Sequence, residues 1–273
     1  MLARPALLPC IIALALLACT GCRAINAPSN DRNWSPDQAK LASAEFERNR
    51  VTVHNIRNCQ YRSADDYDAI WYDKTYDLSK LDEVNFIVCP FADNPSIAHT
   101  FLSFGFEGKE YLAVSIEVRK QQGDPGFTVG KSLSNPYEIM YVVGDERDLI
   151  GLRANYRLED VYVYKAKVTP VTARALFRDV MARVNKLHDS PEFYNVATNN
   201  CTTNLRDHVN DISPDRIPYS VDVLLPGYSD RLAYDSGLIE KHGTFEETRA
   251  AARVNRLAYV YRDDPDFSQR IRR

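Results

Sequence analysis

The sequence predicts an α+β fold, an antiparallel sheet packed against helices, and three observations carry that prediction. Six segments are rich in β-branched and aromatic residues and bounded by turn residues: VTVHNI (51–56), NFIVC (85–89), HTFLSFGF (99–106), EYLAVSIEV (110–118), YEIMYVV (137–143) and DVYVYKAKV (160–168). They follow one another with little helical pattern between them, which favours antiparallel neighbours. Helical periodicity comes afterwards. Ala173, Leu176, Phe177, Val180, Met181, Val184 and Leu187 recur at intervals of 3 and 4, giving an amphipathic helix over about 171–188.

The remaining elements are read in chain order. Met1 to Ala18 form a secretory signal: Arg4 supplies positive charge, and Ala6 to Ala18 are an apolar run too short for a comfortable membrane span. Leu16-Leu17-Ala18-Cys19 reads as a bacterial lipobox with Cys19 lipidated, and Thr20-Gly21-Cys22 offers Cys22 as the alternative. Residues 19–37 are then a polar, proline-bearing tether, and residues 38–262 a single Cys–His catalytic domain. Residues 38–50 read as a short helix. A second helix begins near Cys201, with Leu205, Val209 and Ile212 on its inner face and Pro214 as its stop. Residues 218–239 are loop-rich with short helices, 244–256 form a third helix, and 263–273 are a basic tail ending RIRR.

Composition excludes several classes. A formal charge of −3 argues against nucleic acid as a partner. There is no H-E-x-x-H, no Walker loop, no dinucleotide fingerprint and no G-x-S-x-G elbow, so no metal or other cofactor is expected. In an oxidising compartment Cys59 and Cys89 are candidates for a disulfide, which leaves Cys201 without a structural partner. That sum is cleanest with Cys22 lipidated, since lipidation of Cys19 leaves Cys22 spare.

The chemistry concentrates in two places. The hairpin HTFLSFGFEGKEYLAVSIEVRK turns at Glu107-Gly108-Lys109, so opposite residues have numbers summing to about 216 or 217. His99 therefore lies beside Glu117 or Val118, and a carboxylate there would fix the imidazole tautomer. In YNVATNNCTTNLRDHV (194–209), Asn200 is a good N-cap and puts Cys201 in the first turn of a helix. Unpaired N–H groups at that position favour negative charge on sulfur. A thiol at a helix start facing a His–carboxylate pair has the layout of a thiol nucleophile. Backbone N–H groups of the first turn, with Asn199, Asn200 or Tyr194, would meet an oxyanion. The bland alternatives are a packed core cysteine, a structural His99, and a Glu117 paired with Arg119 or Lys120. His208, two helical turns from Cys201, reads as a core or supporting residue.

The segments WYDKTYDLSKLDEVNFIV, IAHTFLSFGFEGKEYLAVSIEVRK, YEIMYVVGDERDLIGLRANYR and YNVATNNCTTNL resemble the Lnb N-terminal periplasmic domain family over roughly residues 50–240. That family is similar to circularly permuted members of the papain-like NlpC/P60 group, in which the histidine strand precedes the cysteine helix. The resemblance implies acyl transfer through a thioester, with Cys201 as nucleophile, His99 as base and Glu117 as orienting residue. It also implies a phospholipid as donor of a fatty acyl chain such as palmitate, and the amine of a lipoprotein or peptide as acceptor. The expected setting is the periplasm, at the outer membrane through the lipid anchor. In some members the domain is the N-terminal part of a longer membrane-embedded protein, so the expectation is shared chemistry on a differing substrate. Other readings are a cysteine amidopeptidase acting on cell-wall peptides and a non-catalytic envelope lipoprotein.

Overall fold

The computed structural model describes residues 27–124, 137–213, 216–219 and 225–272. Both candidate lipidation sites, Cys19 and Cys22, lie outside the described residues, as does Pro214. Ten strands are described: β1 (Ser43–Glu47), β2 (Arg50–Arg57), β3 (Gln60–Tyr61), β4 (Tyr67–Asp68), β5 (Trp71–Asp77), β6 (Leu81–Phe91), β7 (Asn94–Phe106), β8 (Glu110–Arg119), β9 (Glu138–Gly144) and β10 (Tyr162–Lys165). Eight of them form one sheet in the order β1-β2-β9-β8-β7-β6-β10, with β5 also on β2. Every pairing in it is antiparallel except the bridge Arg57↔Gly144 that joins β2 to β9. The fold is α+β, as the sequence predicts.

The helices are α1 (Glu146–Gly151), α2 (Pro170–Asp189), α3 (Cys201–Ile212), α4 (Ser229–Asp235), α5 (Phe245–Ala252), α6 (Asn255–Val260) and α7 (Phe267–Arg270). A π turn, Leu152–Tyr156, continues α1. Helix α2 buries all seven residues of its predicted stripe, the side chains larger than Ala173 contributing roughly 1.5–3 kcal/mol each. Pro170 at its first position and Thr169 as N-cap, accepting from the Thr172 N–H, fix where it starts.

Because side chains alternate across a strand, each strand feeds two different cores. Leu102, Phe104 and Phe106 of β7, with Val114 and Ile116 of β8 and Tyr141 of β9, pack under α2 and α3. Phe101, Ala113, Met140 and Val142, one residue out of phase, pack with Leu149 and Ile150 of α1, Ala258 of α6 and Phe267 of α7. The sheet is the middle of three layers.

Four expectations are corrected. The helix expected over 38–50 does not form: Ser43–Glu47 is β1, which turns at Arg48, with a positive φ of 54°, into β2, where the strand expected over 51–56 lies. The helix expected over 244–256 is two helices broken at Arg253-Val254, where the Val254 N–H donates to the Val161 carbonyl. The basic tail is part of the fold: Phe267 and Ile271 are buried, and Arg272 forks onto Glu146 and stacks on the Tyr111 ring at 3.7 Å. Cys59 and Cys89 are both free and buried. Cys59 follows β2 and Cys89 lies on β6, four strand positions away, about 19 Å at ordinary strand spacing and far beyond disulfide reach.

Candidate functional site

The β7–β8 register pairs Phe101 with Ser115, a sum of 216, and so continues to His99 opposite Glu117. The histidine Nε2 is 3.9 Å from Glu117 Oε1, with Ser115 between them. Ser115 Oγ donates to Glu117 Oε1 at 2.8 Å and lies 2.6 Å from His99 Nε2. An ionised carboxylate only accepts, so the single serine proton goes to Glu117 and Nε2–H must donate to Ser115. The predicted pair exists, bridged by a residue that the sequence reading missed.

Around it lies a buried cluster. Gln38 Nε2 donates to Glu117 Oε2 at 3.3 Å, and Arg153 approaches the same carboxylate at 3.7 Å. Arg153 also donates to Glu159 at 2.9 Å. Burial by itself would raise the Glu117 carboxyl, but Arg57, Arg153 and Arg157 outweigh it and hold the group well below the usual range. Burial, followed by the positive charge of Arg153, keeps the His99 imidazole neutral far below its ordinary value, against the smaller pull of Glu117. Arg57 forks onto Asp148 with two bonds of 2.9 Å, and Asp148 also accepts from the Cys59 N–H and the Tyr61 hydroxyl. Cys89, paired with His99 across the β6–β7 ladder, is a fully buried thiol pushed up to about 12 by burial.

Cys201 stands on the other side of the sheet. It opens α3 as predicted, and Asn200 is its N-cap in a reciprocal capping box: the Asn200 side chain accepts from the Thr203 N–H, and Thr203 Oγ1 accepts from the Asn200 N–H. The sulfur is buried with Leu205, Leu102 and Phe104 in the core beneath α2 and α3. His99 shares the opposite face with Phe101, its ring centroid 5.5 Å away. The sheet therefore separates Cys201 from His99 and Glu117, and the expected three-residue set is not brought together. Cys201 Sγ is 3.7 Å from Thr202 Oγ1, and no histidine contacts it among the described residues.

Of the residues expected to support the thiol, Asn200 caps its helix and Tyr194 lies close enough to feel its charge. The Tyr194 hydroxyl is raised by burial first and then by the neighbouring Cys201 sulfur. Asn199 donates to the Phe193 carbonyl at 2.8 Å and accepts from Asn204 at 2.9 Å. Its carboxamide is thus committed to holding the loop rather than facing an open oxyanion position. Beneath the first two turns of α3 runs a chain that the sequence reading did not find, His208 apart. Asp179 of α2, His208 of α3 and Tyr141 of β9 are linked by contacts of 2.6 and 2.8 Å.

An apolar cleft of about 210 Å³ runs along the same helix. Val84, Phe86 and Leu102 of the sheet form its floor, and Thr202, Leu205 and Val209 of α3 and Leu232 of α4 form walls. Two basic residues, Lys167 and Arg206, stand among its lining. Among the described residues no carboxylate pairs with the Lys167 ammonium, whereas Arg206 is paired with Asp207. No group of His, Cys, Asp and Glu among the described residues could hold a metal ion.

These features define an α+β domain with a thiol at the capped start of a helix beside an apolar cleft. A family model, the Lnb N-terminal periplasmic domain, matches residues 67–227, and the chain belongs to that family. It is thereby a periplasmic domain by family, and no described helix is long and apolar enough to cross a membrane. No curated protein and no solved structure was found to match the chain. The histidine strand precedes the cysteine helix along the chain, but the two residues lie on different faces of the sheet, so the pairing implied by the resemblance to permuted papain-like proteins does not form.

Proposed function

We propose that the domain binds the acyl portion of an envelope phospholipid and takes the acyl group onto Cys201. The observation that carries this reading is the apolar cleft along α3, whose wall begins at Thr202, the residue after the thiol. Its lining suits a hydrocarbon chain, and the Lys167 ammonium suits an anionic headgroup. A polar groove would suit a cell-wall peptide better, so the amidopeptidase reading is the weaker enzyme.

In the proposed step the Cys201 sulfur bonds to the ester carbonyl carbon, the carbon–oxygen bond breaks, and the thiol proton ends on the departing glycerol oxygen. A lysophospholipid leaves and a thioester remains. An amine, such as that of a lipoprotein N-terminus or a peptide, then attacks the thioester, forms an amide and returns the thiol. The N–H groups of the first turn of α3 lie where they can receive the oxyanion. His99 takes no part, since its Nε2–H is committed to Ser115 on the far face. Anchoring at the outer membrane through a lipidated cysteine would keep the cleft at its substrate.

The separation of Cys201 from His99 favours a second reading, a lipid-binding envelope protein without turnover. Intact-mass spectrometry after incubation with phospholipid vesicles, under denaturing and native conditions, distinguishes the two. A fatty-acyl mass on the native protein, absent from Cys201→Ala and slow to form in Cys201→Ser, supports the acyl-enzyme. Phospholipid retained only under native conditions supports binding alone. Neither signal overturns both.

A further inference from the structure

We infer that Asp179, His208 and Tyr141 are positioning residues for the Cys201 thiol, an assignment that rests on the reading of Cys201 as a nucleophile. The three come from α2, α3 and β9 and meet under the first two turns of α3, on the thiol's side of the sheet. His208 Nδ1 lies 2.6 Å from Asp179 Oδ2, and an ionised carboxylate only accepts, so Nδ1–H donates to it. The Tyr141 hydroxyl donates its one proton to Asn204 Oδ1 at 3.0 Å, so the 2.8 Å contact with the other ring nitrogen has Nε2–H donating to the tyrosine oxygen. Tyr141 and His208 are almost wholly buried, so these bonds do not exchange freely with water.

From Asn204 the chain reaches the thiol's own neighbours. The Asn204 amide donates at 2.9 Å to the carbonyl of Asn200, the residue immediately before Cys201, and at 2.9 Å to Asn199 Oδ1. Asn200 is in turn held by Thr203 and by the Val196 carbonyl, to which its Nδ2 donates at 2.6 Å. One continuous set of hydrogen bonds thus runs from a carboxylate on α2 to the peptide that places the sulfur. Cys201, Asn204 and His208 are spaced by three and four residues along α3, so all three lie on one helix face. Packing needs only apolar contacts on that face. A chain that starts at the half-exposed Asp179, passes through buried His208 and Tyr141 and ends at the N-cap instead fixes the direction of the first turn and its free N–H groups.

The test reads the thiol itself. The second-order rate of Cys201 alkylation by iodoacetamide, mapped by peptide mass, is compared in the native protein, Tyr141→Phe and His208→Gln. The phospholipid acyl-adduct assay is run on the same samples. Positioning predicts that both variants alkylate more slowly, by about five-fold, the scale of one net hydrogen bond. Tyr141→Phe keeps the ring and loses only the hydroxyl, so it covers the case in which His208→Gln does not fold. A purely structural chain predicts the opposite sign, because looser packing exposes a buried thiol and speeds alkylation. Alkylation at the native rate or faster overturns the inference, even if the native protein carries an acyl adduct. Slower alkylation with no adduct upholds the inference and rejects the acyl-transfer reading. The two failures are therefore separable.

Discussion

The two faces of the sheet divide the polar chemistry of this domain between them in different ways. On one face Glu117, Arg57, Arg153 and Asp148 form a charged cluster around His99 and Ser115, beside α1 and its π turn. On the other, polar groups are fewer and mostly neutral, and they lead to the start of α3 and to an apolar cleft. The charged cluster is a means of fixing structure, since each ion's desolvation must be met by its partners, and the pocket of about 220 Å³ beside it, lined by Asp37, Tyr61 and Arg157, is polar. A cleft beside a capped helix start is a place for a ligand. The lesson is that a histidine beside a carboxylate does not mark a site by itself: His99 and Cys201 are about equally buried, and only the thiol's helix borders an apolar cleft.

The largest effect expected from this contrast is on stability. Glu117→Gln leaves Arg57 and Arg153 buried with less counter-charge and should destabilise the fold by about 3–5 kcal/mol, measured by urea unfolding. Cys201→Ser, on the other face, is expected to lie within about 1 kcal/mol of the native protein. Equal losses for the two would remove the distinction between a structural face and a functional one.

A pH experiment sharpens the same contrast. Burial and Arg153 hold the His99 pKa well below 6.5, its unfolded value. Below that unfolded value the unfolded chain binds a proton that the folded chain refuses, so stability falls as pH falls through 6.5 and is fully present above it. One proton gives a slope of at most about 1.4 kcal/mol per pH unit. His99→Gln should flatten the melting temperature between pH 5 and 7, provided the variant folds. An unchanged slope would assign the acid sensitivity to other groups.

Much of the site was legible as pieces and not as a whole. The hairpin turn sets the β7–β8 register, so the sequence alone puts His99 and Glu117 together. The Asn200 cap and the stripe on α2 were equally plain, because each is a local pattern. What failed was parity. β7 is buried without a break from Ala98 to Phe106, so hydrophobic alternation carries no signal for which face α3 covers. A single residue of phase decides whether Cys201 meets His99 or Thr100, and only the tertiary packing supplies it. β1 was missed for a related reason. SAEFE has weak strand preference, and the segment is held extended partly by Asn185, which bonds both the N–H and the carbonyl of Ala44.

A moderate effect is expected at the cleft. Leu232→Trp places a larger side chain at a partly exposed wall position, where the volume can enter the cleft without displacing the core. Retention of phospholipid from vesicles should fall about ten-fold, the scale of a steric loss of ~1.4 kcal/mol, with the charged face and its pH response unchanged. Unaltered retention would place the lipid elsewhere.

The smallest effect concerns the thiols that the sequence reading joined. Cys59 and Cys89 are free, buried and pushed up to about 12, each chiefly by burial. A thiol so protonated and enclosed reacts only when the surrounding structure opens. Without reductant, neither should be alkylated in the folded protein, and both should be alkylated on denaturation, with no disulfide-linked peptide recovered. The rate at Cys89 should also rise in Glu117→Gln, because that substitution loosens the layer covering β6, while the rate at Cys201 stays the same. A parallel rise at Cys201 would show that the two faces open as one unit, and the separation between them would then be geometric but not energetic.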